Sequence, residues 1–235
     1  MRTTNKKYYN LETEGTKASL YIYGDITSWP WLESDISSYN LSKQLEHLGD
    51  VEEIDVYINS YGGEVAEGLA IYNALKRHKA KVTTYCDGFA CSIASVIFMA
   101  GDIRVMSMAS LLMIHNAWTY AEGNANELRK QADDLDTITQ ATINAYMERV
   151  NIAEEELKEL LDEEKWLLPQ EALEKGFATM IAGADTSSKP SQSAMVYIME
   201  KVQQAKVPPA EPKKEKAGER MTRSFFNAIG GIRNV

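Results

Sequence analysis

The chain has 235 residues, 44% of them hydrophobic, enough to bury a sizeable core in one main domain with extras. Its formal net charge of −9 is unevenly spread: residues 186–235 carry nine Lys/Arg against four Glu (+5), and residues 1–185 carry 16 basic against 30 acidic residues (−14). So acidic a main domain argues against nucleic acid as a partner, and no run reaches the roughly 18–20 apolar residues of a membrane span.

The N-terminal MRTTNKKYYNLETEG is basic but has no apolar region after it, so no secretory signal is expected. Cys86 and Cys91 are too close for a useful staple, and their CxxxxC spacing lacks the second ligand pair of a zinc site. Both read as small buried hydrophobes in a reducing cytoplasm, and no metal or cofactor is expected. ASLYIYGDI (18–26) is β-rich and ends at a Gly-Asp turn. SDISSYNLSKQLEHLGD (34–50) predicts a helix capped by Ser34 or Asp35, with Leu41, Leu45 and Leu48 on one face. EIDVYINS (53–60) predicts a strand, and the following YGGEVAEGLAIYNALKRH has a helical stripe of Val65, Leu69, Tyr72 and Leu75, with Ala66 and Ile71 beside it.

AKVTTYC (80–86) predicts a strand that ends at an Asp87-Gly88 turn pair, and residues 92–101 a buried helix. Strands are expected at 103–106 and 109–115, then a long polar-faced helix over 125–150 with Leu128, Leu135, Ile138, Ile143 and Met147 periodic along it. The tail holds four of the six prolines; SAMVYIMEKVQQAK predicts one short helix before a flexible basic linker and a short apolar end. Strands separated by helices argue for an α/β domain with a mainly parallel sheet, whose active site lies where strands end and helices begin.

Three histidines make the search for chemistry short. His47, on a polar helix face, and His78, at a helix end, read as solvated. His115 terminates the apolar strand LLMIH, where a polar ring needs a hydrogen-bonding partner and is equally at home in a structural or a catalytic role. Ser92 would occupy the first turn of its helix, where capping is the plain explanation and activation of its hydroxyl the sharper one. Ser95, a turn further in, would bond back to a carbonyl. A serine nucleophile also needs a base, a group to orient that base and oxyanion donors; the Gly62-Gly63 pair between strand and helix could aim a backbone N–H at a ligand.

Together these residues resemble the Clp protease proteolytic subunits (the ClpP family). YINSYGGEVAEGLAIYNAL is similar to their INSPGG block, DGFACSIAS to their G-x-A-A-S nucleophile block and LLMIHN to their M-I-H block. EKWLLPQEALEKGFAT resembles the stretch after their acidic triad member, and the order of all four blocks agrees over about residues 17–183. YIYGDITSW, AIYNALKRHKAKVTTYCDGFA, GNANELRKQADDLD and the acid-x-Trp ending are closer to ClpP-related proteases of phage and prophage head-assembly clusters. Those are described as head-maturation (prohead) proteases that cut scaffold and capsid precursors, and they carry a C-terminal extension.

The resemblance implies a ClpP/crotonase-like α/β fold, a mainly parallel sheet with flanking helices and a protruding handle of strand plus long helix. It implies a serine endopeptidase with Ser92 as nucleophile, His115 as general base, and the N–H groups of Gly63 and Ile93 as oxyanion hole. The acid position falls on Glu164, two before Trp166, with Asp162 as the alternative and Glu163 close enough to compete. Two residues depart from the family pattern: Tyr61 stands for its Pro before Gly-Gly, and Cys91 for its Ala before the serine.

HNAWTYAEGNANEL corresponds to the handle, where an extended substrate would add as a strand. The 125–150 helix would then pack between subunits of a ring oligomer, with stacked heptamers one form it could take. The expected organisation is an N-terminal arm (1–16), the protease domain (17–185) and a basic, Pro-containing extension (186–235). Capsid or scaffold proteins are the expected substrates, in a bacterial or phage-infected cytoplasm, and no N-terminal segment resembles the pore loop of the housekeeping subunit that works with an AAA+ unfoldase. The competing readings are the proteolytic subunit of an ATP-dependent Clp-type complex, a crotonase-like acyl-CoA enzyme and an inactive assembly protein.

Overall fold

Alternating apolar strands drive a sheet whose order follows from register. In the computed structural model, which describes residues 11–32 and 34–183, β1 (Glu12–Glu14), β2 (Lys17–Ile22), β3 (Glu53–Ser60), β4 (Lys81–Cys91), β5 (Ile103–Ser107) and β8 (Met180–Ala182) lie side by side in the order β1-β2-β3-β4-β5-β8. All neighbours on this path pair in parallel except β1 with β2, so Glu12–Glu14, expected in an N-terminal arm, adds an antiparallel edge strand. The protein is thus a mixed α/β fold on a mainly parallel sheet. Tyr21, Tyr57 and Tyr85 occupy matched positions on β2, β3 and β4 and stack at centroid distances of 4.9 and 4.8 Å. Such cross-strand aromatic pairs reinforce register.

Three helices connect successive strands: α1 (Ser38–His47), α2 (Val65–Arg77) and α3 (Ile93–Phe98). α1 starts later than its sequence pattern predicts, and neither Ser34 nor Asp35 caps it. Ile36 is extended in a bridge to Ile26, Asp35 is buried and accepts from the Trp31 and Leu32 N–H groups, and Ser37 takes the cap position with its hydroxyl facing Asn40 N. On α2 the fully buried residues are Gly68, Ile71, Tyr72, Ala74 and Leu75; Val65 and Leu69 are only partly covered and Ala66 is exposed. α3 is buried along its whole length, which is why 92–101 reads as an unbroken apolar run, and each large side chain there contributes roughly 1.5–3 kcal/mol of transfer free energy.

Asp87-Gly88 is not a turn, because β4 continues through it to Cys91. A Cβ at Gly88 would lie 2.5 Å from Asn59 Oδ1, and that same oxygen accepts the Phe89 N–H across an irregularity in the β3–β4 pairing. The glycine therefore makes room for a side chain that bridges the ladder. Beyond this point β4 changes neighbour: Thr83–Cys86 pair with β5, whereas Phe89–Cys91 pair with β6 (Leu111–Met113), which pairs antiparallel with β7 (Trp166–Leu167). The expected 109–115 strand shortens to β6, leaving His115 just past its end, and residues 114–124 form no strand. Ile114 N–H still donates to Lys165 O and Ala117 N–H to the Thr139 hydroxyl, so these bonds replace a strand ladder here.

α4 (Ala125–Met147) begins with a capping box of Asn124 and Glu127. Its stripe is only half used: Ile143 is buried with Thr139, Thr142, Ala145 and Tyr146, while Leu128 and Ile138 are 43% and 38% exposed. The first half of the helix stands clear of the core. α5 (Glu154–Asp162) and α6 (Pro169–Glu174) flank β7 and precede β8, the last described element. Among the described residues no helix is long and apolar enough to cross a membrane. The short helix expected within 193–206, and the rest of the 186–235 extension, lie outside the described residues.

Candidate active site

The change of neighbour along β4 sets Ser92 at the end of one strand and the start of a buried helix. Its N–H donates to Met113 O at 2.9 Å, continuing the β4–β6 ladder by one rung. Its backbone then turns sharply, at φ 56° and ψ −130°. Ser92 therefore precedes α3 instead of lying in the first turn, and its side chain makes no cap bond. That leaves the hydroxyl free for His115, whose Nε2 lies 2.7 Å from Ser92 Oγ. Ser95 bonds back as its position predicts: its N–H and its hydroxyl both donate to Ser92 O, at 2.9 and 2.5 Å, and the hydroxyl also meets the Tyr146 hydroxyl at 2.6 Å.

Gly62 and Gly63 reach the same place from β3. A Cβ on Gly62 would lie 2.7 Å from Ser92 Cβ and 3.3 Å from Ile93 N, and its φ is 102°. Gly63, at φ 146°, runs so close to the segment after β2 that a Cβ would meet Ile26 O at 2.0 Å. That bridge uses Ile26 N to Gly62 O and Glu64 N to Ile26 O, so it skips the Gly63 N–H. Ile93, as the first residue of α3, also has an N–H with no partner within the helix. Two backbone donors thus flank the Ser92 turn. Glu64 keeps the bracket shut by accepting from the Thr27 and Ser28 hydroxyls at 2.8 and 3.1 Å.

His115 is half-buried, and burial pushes its imidazolium below the usual 6.5; the Glu164 charge and a hydrogen bond to the Asn116 backbone oppose the shift. The ring is therefore neutral at pH 7, the form that can accept a proton. α5 ends in a left-handed turn in which Glu164 N donates to Leu161 O and Lys165 N to Leu160 O. Glu164 sits at the left-handed position of that turn, φ 51°. Of the three carboxylates here, Asp162 accepts from the Asn116 amide at 2.7 Å, Glu163 is exposed, and Glu164 is the one whose charge acts on His115. No hydrogen bond joins Glu164 to His115.

Tyr61, in the position before Gly-Gly, packs edge-on against Phe89 at 5.4 Å, and Phe89 likewise against Trp166 at 5.7 Å. These rings connect the Gly-Gly turn to the strand that follows Glu164. Sequence reasoning missed Phe89, although its odd-numbered alternation with Tyr85 along β4 was a usable signal. It also passed over Tyr146, which has a hydroxyl on a buried helix face and therefore needs a partner. The other two histidines stand apart: His47 is exposed, and His78, expected to be solvated, is partly buried and accepts from Ala80 N. Cys86 and Cys91 are buried, which pushes their thiols up to about 11 and about 12 and keeps them protonated.

A family model described as Clp protease matches residues 34–185. The ATP-dependent Clp protease proteolytic subunit of Deinococcus radiodurans is 35% identical over 139 residues, 58% of this chain and 68% of that protein. The same-named subunit of Chlorella vulgaris is 33% identical over 129 residues, 54% of this chain and 64% of its own length. Proteolytic subunit 1 of Prochlorococcus marinus is 32% identical over 132 residues, 55% and 68% of the two chains.

Proposed function

The chain belongs to the Clp protease family, a peptidase family, and from that premise we propose that it is a serine endopeptidase with Ser92 as nucleophile. His115 is the general base, Glu164 the acid that favours its protonated form, and the Gly63 and Ile93 N–H groups are the oxyanion donors. In acylation, Ser92 Oγ attacks the peptide carbonyl carbon while its proton passes to His115 Nε2. The oxyanion that forms is held by the two N–H groups, and His115 returns the proton to the leaving amine nitrogen. Water then repeats the sequence: it loses a proton to His115, attacks the acyl carbon and releases Ser92 Oγ, which recovers the proton.

One observation carries this reading: an uncapped serine hydroxyl 2.7 Å from the Nε2 of a histidine that burial keeps neutral. A crotonase-like thioester enzyme requires neither group, and an inert assembly protein has no use for the pair. Labelling with a fluorophosphonate probe tests it. The wild type is expected to be modified at Ser92, and Ser92→Ala and His115→Ala to stay unlabelled. A wild type that neither labels nor cleaves peptides returns the choice to those two alternatives.

Two supplies of substrate fit the site. The names of the relatives favour a proteolytic subunit fed by an ATP-dependent partner. The likeness of YIYGDITSW and GNANELRKQADDLD to head-maturation proteases, and the basic 186–235 extension beyond a 17–185 protease domain, favour processing of capsid or scaffold precursors. Intact mass after expression separates them at the tail, since loss of the extension in wild type but not in Ser92→Ala marks a self-processing enzyme. The exposed first half of α4, with Leu128 and Ile138 uncovered, supports a ring oligomer joined through that helix. A monomeric mass by light scattering at full peptidase activity would remove that part of the proposal.

A further inference from the structure

Ser95 and Tyr146 have no place in the triad, yet both are buried polar groups at its back: Ser95 is 0% exposed and Tyr146 1%. Each hydroxyl has one proton to donate. The Ser95 proton goes to Ser92 O, so the Tyr146 proton goes to Ser95 Oγ, and the chain runs Tyr146 to Ser95 to Ser92 carbonyl. The Ser95 N–H makes a second bond to the same carbonyl.

That carbonyl belongs to the peptide unit whose other end is the Ile93 N–H. In a planar trans peptide the two groups point in opposite directions. Anchoring the oxygen on Ser95, inside the core, therefore aims the Ile93 N–H outward, and Ile93 N lies on the side of Gly62. At Ser92 itself this orientation is strained. Ser92 at φ 56° and ψ −130° is outside the left-handed well open to L residues. Rotating this one peptide by half a turn would bring Ser92 ψ to roughly +50°, inside that well, while carrying φ of Ile93 through the same half turn. It would also turn the N–H into the core and point a carbonyl oxygen at the place where the oxyanion forms.

We propose that Ser95 and Tyr146 are positioning residues that hold the Ser92–Ile93 peptide in the orientation that makes Ile93 an oxyanion donor. The proposal rests on the serine-protease reading above. Neither side chain reaches the substrate; they act through one backbone unit. The loss should therefore fall on the transition state alone.

The test uses full-length Ser95→Ala, Tyr146→Phe and the double variant, with a chromogenic peptide and a peptide boronate, whose tetrahedral anion occupies the oxyanion site. Ser95→Ala is expected to lower kcat about tenfold, the rate equivalent of one lost hydrogen bond, with KM unchanged. Its boronate affinity should fall by the same factor. Tyr146→Phe should lose about threefold in both, and the double variant should be no slower than Ser95→Ala, because both act through one chain. The acid limb of the pH profile should not move, since the Ser92–His115 pair is untouched. If both variants keep wild-type kcat and boronate affinity and only melt earlier, the two hydroxyls are core packing and the proposal fails. A KM-only effect or a further multiplicative loss in the double variant overturns it as well. A wild type inert to fluorophosphonate fails the underlying reading instead, so the two failures are distinct.

Discussion

Ser92 and Glu164 are the two non-glycine residues with positive φ among the described residues, at 56° and 51°, but they are held in opposite ways. Ser92 is wedged between buried elements: β6 takes its N–H, Ser95 binds its carbonyl twice, and Gly62 packs against its Cβ. Glu164 is exposed, held by two backbone bonds at the end of α5, and reaches His115 only through charge. Positive φ in an L residue costs on the order of 1–3 kcal/mol and persists only where the surroundings impose it. At Ser92 the whole core imposes it. At Glu164 only a helix end does, in a position that ordinarily favours glycine or asparagine. The proposed nucleophile and acid should therefore respond very differently to substitution.

The largest contrast is in rate. Ser92→Ala should lower kcat by roughly 10⁶-fold, leaving what binding and the oxyanion donors supply, with an unchanged melting temperature. Glu164→Gln should cost no more than about tenfold, because a screened, unbonded charge acts across solvent. Equal losses at the two sites would break the contrast. Next comes the wall of the rigid turn. Gly62→Ala puts a Cβ 2.7 Å from Ser92 Cβ and 2.8 Å from Cys91 O at φ 102°, so the donors must shift. A loss of about 10²–10³ in kcat is expected, with boronate affinity falling alongside. Full activity in this variant would show that the turn is less rigid than described.

Smaller effects sharpen the acid's side. Burial lowers the His115 pKa and the Glu164 charge raises it, so Glu164→Gln should move the acid limb of kcat/KM to lower pH. No movement, or movement to higher pH, would transfer the acid's role to another carboxylate, with Asp162→Asn as the next variant. The smallest effect is on stability. Glu164→Asn places a residue that tolerates the left-handed region at φ 51°, and should raise stability by up to about 1 kcal/mol while matching Glu164→Gln in rate. A destabilised Glu164→Asn would mean that the carboxylate supports the turn instead of straining it.

Much of this was legible in one chain. Apolar runs at 53–60 and 80–86 and a helical stripe in 61–78 specify β3, the first half of β4 and α2, because apolar spacing is a local property. Other boundaries were hidden by distant contacts. β4 runs on through Asp87-Gly88 because Asn59, thirty residues earlier, fills the space the glycine leaves. α1 starts late because Ile26 draws Ile36 into an extended bridge. The first half of α4 is periodic but uncovered, since a stripe records apolar spacing and not what covers it.

By itself the sequence supplied the candidate groups and their order along the chain: Gly62-Gly63, Ser92, His115 and an acid near 164. It determined the α/β alternation as well, because hydrophobic period is a local property. Only the tertiary structure decided that Ser92 precedes its helix with its hydroxyl on His115, that Asp162 turns to Asn116, and that Ser95, backed by Tyr146, binds the Ser92 carbonyl. The sign of φ and the direction of a peptide plane are local angles, but the local sequence does not impose the strained values found here. Here contacts from β6, β3 and α4, brought in from tens of residues away, decide which well is occupied.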